Sequence, residues 1–191
     1  MVEEIKMIHK SVEIAPTAVV EDGVEIGEGT KIMHGAYIST NVKIGKNCFI
    51  GYNTIIRPGV VIGDGSHIRS LCFVAEGVRM GKNCKIIQLS NLCKDLILED
   101  NVFFGTGVLT CDTKKIAHRR NYQPLGQPPY ICKGARIGSG SRLIPGIKIG
   151  ECSMIDAASV VTKDTEPFCR YRGTPARKIG GLTEEEKCVL D

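Results

Sequence analysis

An apolar residue recurs at every sixth position along most of this chain. From residue 8 to residue 104 the series reads Ile8, Ile14, Val20, Ile26, Ile32, Ile38, Ile44, Ile50, Ile56, Ile62, Ile68, Val74, Met80, Ile86, Leu92, Leu98 and Phe104, without a slip. A helix repeats its apolar face every 3.6 residues and a lone strand every two, so neither explains a sustained period of six. A second column lies two residues before the first: Ala18, Val24, Thr30, Ala36, Val42, Cys48, Thr54, Val60, Ser66, Cys72, Val78 and Cys84. These residues are small or β-branched. Side chains two apart on a strand share a face. Each hexad therefore reads as a short strand with one small and one large inward residue, followed by a turn. Beyond residues 111–130 the series resumes in a shifted frame with Ile131, Ile137, Leu143, Ile149, Ile155 and Val161.

A third period gives the cross-section. Ile26-Gly27-Glu28-Gly29, Ile44-Gly45-Lys46-Asn47, Ile62-Gly63-Asp64-Gly65 and Met80-Gly81-Lys82-Asn83 recur at every third hexad, and Leu98-Glu99-Asp100-Asn101 ends the series. Gly and Asn tolerate the left-handed backbone of tight turns. One demanding turn for every three hexads predicts three strands per coil, hence an all-β, triangular parallel β-helix. Each buried aliphatic side chain contributes roughly 1.5–3 kcal/mol, and a coil buries its residues only against its neighbours. Aromatics are 5% of the chain and Trp is absent, so this core is aliphatic.

The nine cysteines are odd in number and include no CxxC pair, which argues against a zinc knuckle or a disulfide framework. Cys48, Cys72 and Cys84 fall in the small inward column and read as core fillers rather than nucleophiles. A net charge of +4 is too mild to point to nucleic acid. The opening MVEEIKMIHKSV has no apolar run long enough for a signal peptide or a membrane span. A soluble cytoplasmic protein is expected, with no membrane and no nucleic-acid partner.

The repeat breaks at Thr110. Residues 111–130, CDTKKIAHRRNYQPLGQPPY, carry Lys114, Lys115, His118, Arg119 and Arg120 with three prolines. A long irregular segment inside a compact domain is uncommon unless it is functional, and repeat proteins put such insertions on the working face. Pro175 and Gly180-Gly181 mark the end of the coils, and Thr183-Glu184-Glu185-Glu186 reads as a capping box opening a short helix. The expected organisation is a β-helix over 1–181 with an external loop at 111–130, then a short helical tail over 182–191.

The hexads, the insertion and the segment Ala157-Ala158-Ser159-Val160-Val161-Thr162-Lys163-Asp164, followed by Gly173-Thr174-Pro175-Ala176-Arg177, together resemble the hexapeptide-repeat acyltransferases. Asp156 and Ala158 stand where that family usually has glycine. The resemblance implies a left-handed helix, although the usual crossover rule favours the other hand. It also implies a homotrimer with acyl-CoA in the groove between subunits. Acetyl-CoA would then run past the backbone of Ser139, Gly140, Ala157 and Ala158, with Pro175 and Ala176 beside it and Lys163, Arg177 and Lys178 approaching its phosphates. Leu98-Glu99-Asp100-Asn101-Val102-Phe103-Phe104-Gly105 and Thr110-Cys111-Asp112 resemble a branch that acts on nucleotide-linked amino sugars, with Thr106 and Cys111 departing from its pattern.

Acyl transfer from a thioester needs a nucleophile, a route for its proton and a stabilised oxyanion. The expected reaction is N-acetylation of an amino sugar; O-acetylation with a His base is the alternative. His118, in the basic loop, is the candidate base, and Asp112 a candidate to bind or deprotonate an amino group. Gln88 and Asn91 interrupt an apolar region one coil before the loop and are candidates to orient the acceptor. Lys114, Arg119 and Arg120 suit a nucleotide diphosphate. His9 reads as surface, His34 as a turn or outer-face residue, and His67 as outward-pointing in reach of a groove between subunits. No metal is expected: the carbonic anhydrases built on this scaffold need closely spaced histidines. A non-catalytic assembly subunit is the reading from another class.

Overall fold

The computed structural model describes residues 7–187. Within them the chain winds as a left-handed parallel β-helix whose coils stack into three flat faces. The first face runs from Met7–Ile8 to Lys148–Ile149, the second from Glu13–Ile14 to Met154–Ile155, and the third from Val19–Val20 to Val160–Val161, each eight parallel strands deep. Each of these strands is a two-residue segment. Equivalent positions pair across one coil, as in Ile26 with Ile44 and Ile68 with Ile86.

Both inward columns are buried as the period predicts. Ile32, Ile38, Ile50, Ile56, Ile68 and Ile86 are buried, and so are Val24, Ala36, Val42, Val60 and Val78 between them. The hydroxyls in the small column are satisfied by the neighbouring coil. Thr30 Oγ1 donates to the Gly45 carbonyl at 2.8 Å, Thr54 Oγ1 to that of Arg69 at 2.8 Å and Ser66 Oγ to that of Gly81 at 2.9 Å. Cys48, Cys72 and Cys84 are buried free thiols, as expected of fillers. Burial pushes the Cys84 thiol up to about 11 and that of Cys93 to about 12. Cys152 is disulfide-bonded, which the odd cysteine count did not suggest. The apolar series is not buried from its start: Ile14 is exposed at the open N-terminal end.

The left-handed backbone expected at the turn after Ile26, Ile44, Ile62 and Met80 is present at Gly29, Asn47, Gly65 and Asn83, and the glycines two residues earlier have a cause of their own. A positive φ occurs at all three corners of a coil, for example Gly29, Gly35 and Asn41. What recurs once per coil at this corner is close approach. A Cβ at Gly27 would lie 2.7 Å from the Gly45 carbonyl carbon, and one at Gly63 would lie 2.5 Å from that of Gly81. At Gly27 and Gly63 the next coil's backbone fills the space a side chain would take.

Thr110 is buried and keeps its place in the coil, so the repeat persists one position beyond the break read from the sequence. Leu98 is in register with Ile131 rather than with Ile116. The insertion therefore adds a loop to one corner, between the third and first faces, without breaking the stack. At the top of the solenoid the chain returns to the second face as Cys169–Gly173, parallel to Met154–Ile155, and reverses into Ala176–Gly181. Nothing in the hexad pattern anticipates this hairpin. The expected terminal helix is one 3-10 turn, Glu184–Glu186, in which Glu186 Oε2 accepts the Thr183 N–H at 3.1 Å. The rest of the expected tail, 188–191, lies outside the described residues.

Candidate active site

The corner between the second and third faces stacks four residue pairs: Gln88-Leu89, Thr106-Gly107, Ser139-Gly140 and Ala157-Ala158. Gly107 N–H donates to the Gln88 carbonyl at 2.9 Å, Gly140 N–H to that of Thr106 at 2.8 Å, and Ala158 N–H to that of Ser139 at 2.8 Å. From Thr106 upward these pairs form a continuous ledge of small residues along the helix. A Cβ built at Gly107 or Gly140 meets nothing within 4 Å. Packing inside the chain therefore does not require glycine there, and its absence of a side chain leaves an open channel. Thr106 N–H donates to Ser139 Oγ at 3.1 Å; the Ser139 N–H one coil on faces Ala157, which has no side-chain oxygen to receive it. Gly173 N–H donates to Ser159 Oγ at 3.1 Å, so the hairpin tip at Thr174 and Pro175 continues the ledge upward.

The fold thus gathers Ser139, Gly140, Ala157, Ala158 and Pro175 on one ledge, together with Gln88 from the acceptor set. Ala176 is buried at the base of the tip, and Arg177 is exposed opposite Arg172 on the return strand. Lys178 is held by Glu166 at 2.6 Å. Lys163 is not brought to the ledge. It follows Val160–Val161 at the far edge of the third face, where Asp164 Oδ1 accepts the Lys148 N–H at 2.8 Å.

Asp156 has a structural role that accounts for its departure from glycine. Its carboxylate accepts from Arg170 Nε at 2.7 Å and Arg172 Nε at 2.5 Å, and Arg170 Nη1 also reaches Glu186 Oε1 at 2.9 Å. Burial opposes ionisation of Asp156, but the hydrogen bonds from the two guanidiniums outweigh it and hold the carboxyl below its usual range. The clamp fastens the hairpin beside the ledge.

The third face separates the ledge from the loop. Asn91 lies on it half-buried, in register between Phe73 and Leu109, so it is a polar residue among apolar neighbours. Its carbonyl accepts from Thr110 Oγ1 at 3.1 Å. Beyond, the loop folds back on itself. Gln127 N–H donates to the Asp112 carbonyl at 2.6 Å, and Thr113 bridges Gly126. Asp112 is half-buried at the loop entrance, with Oδ1 accepting from Thr113 Oγ1 at 2.9 Å. Tyr122 Oη donates to the Ile116 carbonyl at 2.8 Å, and Lys115 Nζ lies 5.9 Å from the Tyr122 ring centre. Lys114, His118, Arg119 and Arg120 are exposed, and Ile116 is 81% exposed.

The remaining histidines divide clearly. His9 Nδ1 is 2.9 Å from Ser11 Oγ, and His34 Nδ1 is 3.0 Å from Thr17 Oγ1, with its ring stacked on Tyr52. His67 is half-buried on the second face, its ring 6.0 Å from that of Phe49. Burial, then the charges of Arg69 and Lys85, pulls its pKa below the usual imidazole value. Sequence reasoning lent His67 no such prominence, and it assigned no role to Thr106 or Gly107. Column arithmetic carried past the insertion would have found the latter pair. Among the described residues no group of three or more His, Cys, Asp or Glu is placed to hold a metal ion, and no helix is long and apolar enough to cross a membrane.

Comparison with known proteins agrees with this geometry. Residues 41–76 match the family described as bacterial transferase hexapeptide (six repeats). The chain is a hexapeptide-repeat protein. The bifunctional protein GlmU of Thermotoga petrophila is 31% identical over 153 residues, 79% of this chain and 26% of its own length. This hexapeptide-repeat chain therefore spans about a quarter of the curated relatives it matches over most of its length. Its fold is shared with the UDP-N-acetylglucosamine acyltransferase from Campylobacter jejuni, with a TM-score of 0.70 at 21% identity over 90% of this chain and 73% of that one. A hexapeptide-repeat acetyltransferase from Vibrio cholerae, solved in complex with acetyl coenzyme A, superposes with a TM-score of 0.52 at 21% identity, covering 71% of each chain.

Proposed function

We propose that this protein is an acetyltransferase that moves an acetyl group from acetyl-CoA to the amino group of a nucleotide-linked amino sugar. The observation that carries the reading is the ledge of small residues from Thr106-Gly107 through Ser139-Gly140 and Ala157-Ala158 to Pro175, open where Gly107 and Gly140 lack a side chain. Identity to GlmU over most of the chain supports the acyl-transfer class. The fold shared with a UDP-N-acetylglucosamine acyltransferase and with an acetyl-CoA-bound acetyltransferase fits it.

The thioester supplies an activated acyl group. The chain's own residues align it and manage the acceptor. Ser139 N–H is a donor for a carbonyl on the ledge. Gln88 and Asn91 flank the lower end of the ledge with amides that orient an amine. Asp112 takes up the ammonium of the acceptor, and Lys114, Arg119 and Arg120 with His118 form the basic side of the site, all supplied by a neighbouring subunit's copy of the loop because the third face separates each loop from its own ledge. Lys163 and Arg177 meet the cofactor phosphates. Lys163 lies across the third face from its own ledge, so it serves the ledge of a neighbouring subunit. The assembly proposed is a homotrimer, supported by the exposed Ile116 and Leu125 of the loop and by the outward row Val19, Ile55 and Phe73 on the third face. The solenoid over 1–181 acts as one unit with 182–191 as its tail, in the cytoplasm, where the seven free thiols among the described residues are stable although Cys152 is disulfide-bonded.

The test is a panel of nucleotide amino sugars incubated with acetyl-CoA and read by release of free thiol. Turnover with no member, while sugar hydroxyl acceptors are acetylated, overturns the N-acetyl reading. His118→Ala separates the chemistries. A loss beyond about tenfold marks a proton-accepting base, whereas an unchanged rate marks direct attack by a neutral amine.

A further inference from the structure

Directly below the ledge lies a groove of about 610 Å³ lined by Arg69, Leu71, Lys85, Ile87, Gln88 and Leu89. Three observations set it apart. The first is its charge. Several outward cations are matched by acids one coil away, as Lys31 is by Glu13, Lys43 by Glu25 and Arg57 by Glu76. Others, such as Arg79 between Val61 and Ile97, stand alone among the described residues, but Arg79 does not adjoin a second cation on a groove wall as Arg69 adjoins Lys85. Arg69 and Lys85 have no such partner among the described residues. Arg69 instead lies 5.2 Å from the Phe49 ring centre. His67, in register between Phe49 and Lys85 on the same face, feels only these two cations as charged neighbours, and burial with their charge favours its neutral form. Two uncompensated positive charges, not three, face the groove.

The second is the backbone. Leu71 and Leu89 adopt φ of 60° and 64°, in a corner column that elsewhere holds Gly35, Asn53, Gly107, Gly140 and Ala158. A bulky side chain in the left-handed region is costly and uncommon. Both leucines are also more than half exposed. Strain retained together with an exposed apolar floor is the pattern of a binding surface rather than of a fold requirement.

The third is continuity. The Gln88 carbonyl that accepts the Gly107 N–H joins the groove to the lower end of the ledge, so a group held in the groove sits next to an acyl group delivered along it.

We propose that this groove is an acceptor subsite, in which Arg69 and Lys85 bind a phosphate or diphosphate of the acceptor while Leu71 and Leu89 support its uncharged ring. The assignment rests on the acetyltransferase reading for the word acceptor, but the binding chemistry stands independently of it. It places anion recognition on the second face, across the third face from the basic loop of the same chain. The guanidinium supplies a planar pair of donors and the ammonium a point charge, a combination suited to adjacent phosphate groups.

The test uses UDP as the probe, measured by calorimetry on the full chain, with CoA titrated in parallel. The wild type binds UDP. Arg69→Gln with Lys85→Gln weakens it by about tenfold or more and leaves CoA affinity within about twofold. The UDP affinity also falls as salt is raised from low ionic strength, because both cations are accessible to solvent. UDP affinity unchanged in the double variant overturns the subsite, as does absence of UDP binding by the wild type. A parallel loss of CoA affinity overturns it too, since the groove would then hold the cofactor. If the double variant melts early, Lys85→Gln alone, at an exposed position, carries the same comparison. Failure of acetyl transfer with every acceptor, with UDP binding intact and lost in the variant, refutes the enzymatic reading and leaves the anion site standing.

Discussion

Replacing Gly140 by Asn separates the ledge's role in binding from its role in folding. Gly140 has φ of 71° and open space where a Cβ would project. Asn53 occupies the same corner lower in the column with φ of 52°, so this turn already accepts an asparagine. An ordinary L-residue in this region costs about 1–2 kcal/mol, and Asn less because its amide bonds locally. For a chain of this size each kcal/mol lowers the melting temperature by about 2–4 °C, so Gly140→Asn should melt within a few degrees of the wild type. Its carboxamide, however, enters the channel between Thr106 and Ala157. Loss of even about 1.4 kcal/mol of binding is tenfold in Kd, and direct obstruction of a pantetheine should exceed that. Calorimetric titration with CoA is the assay. Gly59→Asn is the matched control: Gly59 also has φ of 71° and nothing within 4 Å of a Cβ, but lies at the corner between the third and first faces. The reasoning is refuted if Gly140→Asn binds CoA within twofold of the wild type, or if Gly59→Asn loses CoA equally.

Gly63→Ala should destabilise the fold by about 1–3 kcal/mol in urea unfolding, because its Cβ would meet backbone of the next coil that cannot yield as a side-chain tip can. Asp156→Asn should cost about 1–2 kcal/mol, reflecting two charged hydrogen bonds partly screened by solvent. Because the folded carboxyl is held below its usual range, the wild-type advantage should be complete above about pH 4 and fade as pH falls through the lowered folded value, with no such acid limb in the variant. Native alkylation followed by peptide mapping should label exposed Cys111 readily and spare Cys84 and Cys93, whose thiols are buried and pushed to about 11 and about 12; rapid labelling of Cys84 would contradict its core position.

The solenoid is legible in residue order alone. Ile26, Ile44 and Ile62 recur at fixed spacing because each coil can bury them only against the next, so the period of the chain is the period of the structure. Residues 111–130 stand out as an insertion, whereas Ser139, Gly140, Ala157 and Ala158 come together as a set only through the family resemblance of the tail motif. Other relations arise only from folding, because proximity in sequence cannot express them. Thr106 and Ser139 are neighbours across the inserted loop, because the coil closes at Thr110 and resumes at Tyr130. Asp156 looked like a lost glycine until Arg170 and Arg172 folded back onto it in a hairpin whose pairing is long-range. Gly27 and Gly63 looked like turn formers, yet what excludes a side chain there is the backbone of the next coil. Lys163 belongs to the tail motif in sequence but stands at the opposite edge of the third face, because the hexad between it and Ala158 carries the chain across that face. His67, Arg69 and Lys85, ordinary outward residues in the linear chain, became a cluster only when adjacent coils stacked.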